Sequence, residues 1–228
     1  MMSKYGMADC KPISVPLDQN GKVSADVGVV LEDPTMYRKM VGSLIYATIS
    51  RPDLSYALGL VSQLMQAARK PHLDCVRCIM RYLSTTMDYA LFYAADTTLE
   101  LSRYTDADWV GSTYDRRSTI GYMFSLGSAA ITWSSKKQPT VALSSTKAEY
   151  RGAAVVACEV AWLCKLLTDL CVDVTHKVVI YCDNLSSIQL ARNPVFHART
   201  KHIEVHYHFI QEHVLASDID LVYIGTDE

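Results

Sequence analysis

Three acidic residues lie where a carboxylate is hard to explain as part of a folded core. Asp106 closes the strand-like run Leu99–Thr105, and Asp183 closes the apolar run Val178–Cys182. Glu149 heads an apolar stripe with helical spacing, so its side chain is expected to point toward the core. The stripe continues through Ala153, Val156, Val160, Leu163, Leu167 and Leu170. Carboxylates directed at one dry place repel one another unless a cation joins them, which predicts a divalent metal and, most simply, phosphodiester hydrolysis.

Each of these acids also has a purely structural interpretation. Thr146 and Glu149 fit the S/T-x-x-E capping box, in which the glutamate only closes the start of a helix. The pair Asp183–Asn184 fits a strand-to-helix turn in which the asparagine caps the helix. Asp108 follows Asp106 by two residues and therefore shares its strand face, so it is an alternative ligand.

The composition indicates a globular protein. The chain has 228 residues, half of them hydrophobic, which is enough for one large or two modest cores. The amino terminus lacks the apolar segment of a signal peptide, and the most apolar stretch is interrupted by Glu159 and Lys165, so no membrane span is predicted. We expect an intracellular protein, cytoplasmic or nuclear and not secreted. The seven cysteines are odd in number and fall within helical or strand patterns, which favours reduced thiols.

The net charge of −2 conceals an asymmetry along the chain. Between Arg38 and Arg81 there are seven basic and two acidic residues, whereas after residue 95 there are 12 basic and 16 acidic residues. A basic helical half beside an acidic half is compatible with a polyanionic substrate that contacts both. Lys70, Arg77 and Arg81 are the candidate contacts of the basic half, and an ordinary solvated helix face explains them equally well.

The elements that must position these residues change in type near residue 96. Residues 1–33 read as an extended lead-in. Asp33 is expected to cap a first helix that has Pro34 at its first position and runs to about Ser50. A second helix starts at Arg51–Pro52 and continues to about Ala68, and a third starts at Pro71. Three helices with short links predict a small three-helix bundle.

After residue 96 the pattern predicts a mixed sheet flanked by helices. Three strands form an antiparallel meander, a long helix follows, and helices and strands then alternate. The predicted strands and helices are Leu99–Trp109, Ser118–Leu126, Ala129–Ser134, Ser145–Cys171, Lys177–Cys182, Asn184–Ala191, Lys201–Ala216 and Ile219–Ile224. Ligands of such sheets gather beyond the carboxyl ends of strands, where Asp106 and Asp183 are expected.

Several long motifs carry a family resemblance. The second half contains YTDADWVGSTYDRRSTIGYMFSLG, ITWSSKKQPTVALSSTKAEYRGAA, IYCDNLSSIQLARNPVFHARTKHIEVHYHFI and IDLVYIGT. The first half contains MYRKMVGSLIYATISRPDLSYALGLVSQLM and CIMRYLSTTMDYALFY. The former resemble the ribonuclease H domain at the carboxyl end of copia-type retrotransposon Pol polyproteins, and the latter resemble the reverse transcriptase thumb and connection that precede it. The match covers nearly the whole chain from about residue 7, in the same order.

The resemblance implies a fold and a chemistry. It implies a helical thumb- and connection-like segment over residues 1–95 and, over residues 96–228, a ribonuclease H-like mixed five-stranded sheet. The family's catalytic acids fall on Asp106 in TDAD, Glu149 in KAEY and Asp183 in CDN, the same acids that position and periodicity indicate. The implied activity is hydrolysis of the RNA strand of an RNA–DNA hybrid by two Mg²⁺ ions about 4 Å apart, with Mn²⁺ as an alternative. Asp106 is expected to bridge both ions, Glu149 to hold the leaving-group side and Asp183 the nucleophile side.

The resemblance also implies partners. The RNA–DNA hybrid is one, and the rest of the Pol polyprotein is another, since the polymerase palm with its paired aspartates has no counterpart in a chain without an Asp-Asp pair. A virus-like particle or the nucleus is the implied location. Candidate phosphate contacts lie around the start of the long helix and in the preceding loops, where a loop ion pair with Asp115 is an equal alternative for the two arginines. They are Arg116, Arg117, Lys136, Lys137, Ser144, Ser145 and Thr146.

One departure from the family bears on activity. Family members usually continue past YIGT to an aspartate that supplies a fourth carboxylate, and the sequence ends at Glu228 before that position, so a carboxyl-terminally truncated domain is expected. Asp227 lies in the linker and is not assigned the role. A remnant that binds nucleic acid without cleaving it is therefore an alternative to the active nuclease. A transposase or integrase is less consistent with the sequence, because its glutamate should come last whereas Glu149 precedes Asp183.

Overall fold

A computed structural model describes residues 2–7, 10–17, 23–112, 114–172, 178–192 and 219–225. The predicted helix Lys201–Ala216 and Asp227 lie outside these residues. The chain divides into two compact units, Met1–Leu91 and Phe92–Glu228. Within the described ranges, no helix combines the length and the apolar character needed to cross a bilayer.

The first unit is helical. It contains α1 (Thr35–Ala47), α2 (Ser55–Ser62) and α3 (Lys70–Thr85), with short 3₁₀ turns at Met2–Tyr5 and Pro52–Leu54. The apolar faces of these helices bury a common core, which offsets the conformational entropy that short helices lose on folding. The core includes Tyr37, Met40, Val41, Leu44, Leu54, Leu58, Val61, Val76, Ile79 and Met80.

Several helix boundaries of the first unit differ from those predicted, and the first helix ends at Ala47 instead of Ser50. The first helix begins at Thr35, because Asp33 accepts a hydrogen bond from the Thr35 N–H at 2.9 Å and forms a turn ahead of the helix. The second begins as the 3₁₀ turn and ends at Ser62 instead of Ala68. Beyond Ser62 the backbone N–H groups bond three residues back, as Leu64 N–H does to Val61 O at 3.2 Å, so the α-helical pattern stops.

The second unit contains a five-stranded mixed sheet. Its strands are β1 (Leu101–Asp108), β2 (Thr119–Leu126), β3 (Ala129–Lys137), β4 (Val178–Cys182) and β5 (Ile219–Tyr223), in the order β3-β2-β1-β4-β5. The pairs β1/β2 and β2/β3 are antiparallel, whereas β1/β4 and β4/β5 are parallel. Helices α4 (Ser145–Asp169) and α5 (Leu185–Arg192) accompany the sheet. This confirms the predicted α/β class and the antiparallel arrangement of the first three strands.

Helix α4 packs closely on β1. The predicted stripe from Glu149 to Leu167 is buried, but Leu170 is exposed because the helix ends at Asp169. A Cβ added at Gly152 would lie 3.4 Å from Thr105 Oγ1, in ordinary van der Waals contact, so the helix packs directly on the strand at this glycine. This packing places the first turns of α4 beside the carboxyl-terminal half of β1.

Candidate active site

The register of the two central parallel strands places Asp106 and Asp183 at one level. Tyr104 pairs with Tyr181 across β1 and β4, and each aspartate follows its tyrosine by two residues. Asp106 lies within β1 instead of closing a strand at Thr105, because the ladder with β2 continues through the pairs Asp106–Gly121 and Asp108–Thr119. Both acidic side chains therefore lie near the carboxyl ends of adjacent parallel strands, where ligands of such sheets bind.

Glu149 reaches the same place from α4. The helix is capped by Ser144, whose hydroxyl accepts a hydrogen bond from the Lys147 N–H at 3.3 Å, so the capping-box interpretation based on Thr146 is wrong. Glu149 is in the second turn and only 5% exposed. Its Oε1 accepts a hydrogen bond from the Ala107 N–H at 3.2 Å, while its Oε2 is buried and has no hydrogen-bond partner among the described residues.

The three carboxyl groups influence one another electrostatically. Burial first, and then the charges of Asp106 and Asp183, together raise the pKa of Glu149 from 4.5 to about 8. The pKa of Asp106 is also raised, first by its partial removal from water and then by the charge of Asp183, although part of its side chain is exposed to solvent. Carboxylate oxygens are the ligands that Mg²⁺ prefers, and the buried Oε2 of Glu149, which has no hydrogen-bond partner among the described residues, is available to coordinate a cation.

A thiol that the sequence analysis did not assign to the site lies among these carboxylates. Ligand atoms of Glu149, Cys182 and Asp183 all lie within 4.8 Å of one another. Cys182 is fully buried, and burial raises its thiol pKa to about 11. The sequence indicates this placement only in that Cys182 directly precedes Asp183, and a cysteine in a buried strand ordinarily indicates core packing.

Two alternatives at the aspartates are resolved by local hydrogen bonding and packing. Asn184 Oδ1 accepts a hydrogen bond from the Ser187 N–H at 3.0 Å, so the asparagine supports the start of α5 and leaves the Asp183 carboxyl available. The Asp108 carboxylate lies against Gly111, where any added Cβ would collide with it. Asp108 therefore points into its own turn, which leaves Asp106 as the candidate ligand on this strand.

The loop arginines and the lysines at the end of β3 fall into two groups. Asp115 forms ion pairs with Lys137 at 3.0 Å and with Arg117 at 3.6 Å, so these two cations are engaged within the unit. Arg116 and Lys136 are exposed, and within the described ranges neither forms an ion pair. Of these four side chains, Arg116 and Lys136 are therefore the two that remain available to bind a phosphate.

The candidate contacts on helices differ in the same way. On α4, Ser144 is occupied as the cap, whereas Ser145 is exposed and Thr146 is half-buried in the first turn. On α3 of the first unit, Lys70 is exposed and Arg77 pairs with Asp74 at 3.1 Å. Arg81 donates from Nε to Lys11 O at 2.8 Å. These three basic residues share one face of α3, with spacings of seven and four residues.

Gln138 is a second residue that the sequence analysis did not identify. It follows β3, is 1% exposed, and donates from Nε2 to Ala148 O at 2.9 Å. Its own N–H donates to Ser118 O at 2.8 Å. The side chain thus ties the end of the β2–β3 pair to the residue directly before Glu149.

Comparison with known proteins finds Pol polyproteins of plant transposons. The chain is 43% identical over 228 residues to the retrovirus-related Pol polyprotein from transposon RE2 of Arabidopsis thaliana, covering 100% of this chain and 16% of that protein. It is 39% identical over 236 residues to the one from transposon TNT 1-94 of Nicotiana tabacum, covering 100% of this chain and 18% of that protein. The chain spans about one sixth of the length of these relatives.

Among solved structures, the chain is similar to LC11-RNase H1 in complex with an RNA/DNA hybrid. The TM-score is 0.41 with 13% identity, covering 56% of this chain and 87% of that chain. No protein-family model matches the chain. The assignment rests on the sequence relatives, whose similarity extends over the whole length of this chain. This chain belongs to the family of retrovirus-related Pol polyproteins from transposons.

Proposed function

We propose that the second unit is a metal-dependent ribonuclease H that cleaves the RNA strand of RNA–DNA hybrids. The observation that carries this proposal is Glu149, a buried carboxylate beside Asp183 and under the electrostatic influence of Asp106. One of its oxygens has no hydrogen-bond partner in the part of the chain that the structure describes. A buried acid of this kind is costly to a fold unless a cation or a proton satisfies it. Membership of the Pol family supports the same activity, and we assign the helices of the first unit to a thumb- and connection-like segment.

The proposed mechanism divides the work between the ions and the chain. Asp106, Glu149 and Asp183 would hold two Mg²⁺ ions, which when bound activate a water and neutralise charge on the scissile phosphate. The Ala107 N–H fixes Glu149 Oε1, so the carboxylate keeps one orientation. The packing of α4 on β1 excludes water from Glu149, and electrostatic interactions are stronger there than in solvent.

Residues around the carboxylates would bind the nucleic acid. The N–H groups of Ser145 and Thr146 lie in the first turn of α4, where backbone donors have no partner within the helix and favour an anion. Exposed Arg116 and Lys136 would contact backbone phosphates. Selection of the RNA strand would come from contacts of small polar groups with the 2′-hydroxyl.

A second candidate function is a Pol remnant that binds hybrids without cleaving them. The observation favouring it is that the tight group of ligand atoms in the described chain contains two carboxylates and a thiol, not three carboxylates. Mg²⁺ takes oxygen ligands, so a centre of this composition holds it less tightly. Such a protein would bind hybrids in a salt-sensitive manner and release no products.

A cleavage assay separates these functions. A hybrid labelled on the RNA strand is incubated with the protein and Mg²⁺, alongside Asp106→Asn, Glu149→Gln, Asp183→Asn and, as a matched control on the exposed end of α4, Asp169→Asn. We expect cleavage by the unchanged protein and by the control, and losses of at least about a hundredfold in the other three. Binding without Mg²⁺-dependent products at every protein concentration would establish the remnant instead.

A further inference from the structure

The Cys182 thiol gives the carboxylate cluster a mixed ligand chemistry. Its sulfur and one oxygen each of Glu149 and Asp183 lie within 4.8 Å of one another. Mg²⁺ prefers oxygen ligands at near-octahedral geometry, whereas thiolates select borderline and soft ions such as Zn²⁺ and Cd²⁺. A site that offers one sulfur and two carboxylates is therefore suited to a different ion from the one that the three acids alone would bind.

We propose that Glu149, Cys182 and Asp183 form a binding site for a thiophilic divalent cation, overlapping the magnesium site, so that such a cation and Mg²⁺ exclude each other. The buried Oε2 of Glu149, for which the described ranges supply no hydrogen-bond partner, is an independent observation pointing to a ligand at this place. The binding itself does not depend on nuclease activity, but its consequence, inhibition of cleavage, rests on the proposed function.

The geometry allows the site to close on one ion. Zinc binds sulfur at about 2.3 Å and carboxylate oxygen at about 2.0–2.2 Å, so two ligands of one tetrahedral ion lie roughly 3.5 Å apart. The three ligand atoms therefore need to approach by no more than about 1.3 Å, within the reach of side-chain rotation. Asp183 is partly exposed, which gives the ion an entry path and leaves space for a water as fourth ligand.

The binding step involves no change of oxidation state. The Cys182 thiol releases its proton to solvent as the sulfur–metal bond forms, and the two carboxylates bind in their ionised form. Both carboxylates are then unavailable to Mg²⁺. Competition between the two kinds of ion distinguishes this site from any other thiol of the chain, because Mg²⁺ has little affinity for thiols.

Cadmium binding to the full chain tests the proposal through the ultraviolet charge-transfer absorbance of the thiolate–cadmium bond. Titrations are run with and without excess Mg²⁺ on the unchanged protein, Cys182→Ser, Glu149→Gln and Cys171→Ser, which removes an exposed thiol as a matched control. We expect a Mg²⁺-suppressible component in the unchanged protein and in Cys171→Ser. It should be absent from Cys182→Ser and more than about tenfold weaker in affinity in Glu149→Gln.

Two results would overturn the proposal: no Mg²⁺-suppressible absorbance in the unchanged protein, or the same component in Cys182→Ser. Circular dichroism checks folding of each variant, and Cys182→Ala replaces Cys182→Ser if the latter unfolds. If neither folds, the Mg²⁺ competition in the unchanged protein and Glu149→Gln still decides. A protein that shows the Mg²⁺-suppressible absorbance but does not cleave the hybrid refutes only the nuclease function. A protein that cleaves the hybrid but lacks this absorbance refutes only the proposed thiophilic cation site.

Discussion

At the scale of single residues, the behaviour of the site follows from the cost of keeping Glu149 ionised. A carboxylate removed from water must be protonated, paired or bound to a cation, because an unpaired buried charge is far less stable than a hydrated one. Glu149 has one backbone donor, no basic partner among the described residues, and two acids whose charges add to the cost. Its protonation and its metal binding are therefore alternative ways of satisfying the same oxygen atoms.

This cost predicts a pH-dependent stability in the absence of metal. The pKa of Glu149 is about 8 in the folded protein against 4.5 ordinarily, so between these values the folded state retains a proton that the unfolded state releases. Stability is fully present below pH 4.5 and falls by roughly 2–4 kcal/mol as the pH rises to 8. Denaturant unfolding in chelator at several pH values measures this fall, and Mg²⁺ should restore stability at pH 8.

Glu149→Gln isolates the contribution of this one carboxyl group. The amide keeps the acceptor for the Ala107 N–H but carries no charge, so in chelator the variant should be more stable than the unchanged protein at pH 8 and little different at pH 4.5. Glu159→Gln, on the same helix but partly exposed, should leave the pH profile unchanged. A profile that is equally steep in Glu149→Gln would show that another group causes the dependence.

At the scale of elements, the position of Glu149 depends on how the start of α4 is fixed. Two contacts do this: the Ser144 hydroxyl at the cap and the Gln138 amide on the Ala148 carbonyl. Because Glu149 follows Ala148 directly, a shift of the first turn would move its carboxyl group away from Ala107 N–H. The order of the strands alone does not determine this placement.

The cap predicts different effects for two similar substitutions. Ser144→Ala removes the acceptor of the Lys147 N–H and should lower the free energy of unfolding by about 1 kcal/mol. Thr146→Ala should cost less, because Thr146 lies inside the helix and is not its cap. Thermal or denaturant unfolding of both variants measures the difference, and a larger loss in Thr146→Ala would favour the capping box that the structure excludes.

Gln138→Ala should weaken both stability and metal binding. Loss of the buried amide leaves the Ala148 carbonyl with its helical partner only and creates a small cavity, which should destabilise the protein by roughly 1–3 kcal/mol. If Gln138 also positions Glu149, the affinity for Mg²⁺ should fall while the protein stays folded. Calorimetric titration measures the affinity for Mg²⁺, with Thr140→Ala in the exposed loop as control. An unchanged affinity would show that Gln138 contributes only to the stability of the fold.

At the scale of the whole molecule, a chain with net charge −2 can bind a polyanion only through local basic groups. Arg116 and Lys136 of the second unit and Lys70 of the first are exposed, whereas Lys137 and Arg117 are engaged with Asp115. Binding that depends on a few side chains should be weak and only moderately salt-dependent, since the salt dependence grows with the number of phosphate contacts that release a counterion.

The salt dependence of hybrid binding should therefore identify the contacts. For Arg116→Ala, Lys136→Ala and Lys70→Ala, the slope of log affinity against log salt should become shallower by about one for each residue that contacts a phosphate. Lys165→Ala, on the exposed side of α4, is the matched control and should leave the slope unchanged. Fluorescence anisotropy in chelator, which prevents cleavage, provides the measurement. An unchanged slope in Lys70→Ala would assign the face of α3 to ordinary solvation.

The sequence by itself determined the family, the α/β class and the antiparallel first three strands, and it predicted the three acids, because motifs and periodicity are encoded by residues that are near in the chain. Only the tertiary structure decided which atoms meet. The Ala107 N–H bonds a glutamate 42 residues away, Gln138 holds the turn before that glutamate, Asp108 turns aside to Gly111, and Cys182 joins the carboxylates. These contacts, and the raised pKa of Glu149, arise from the packing of α4 on β1 and the register of β4, which depend on distances between elements that no local pattern specifies.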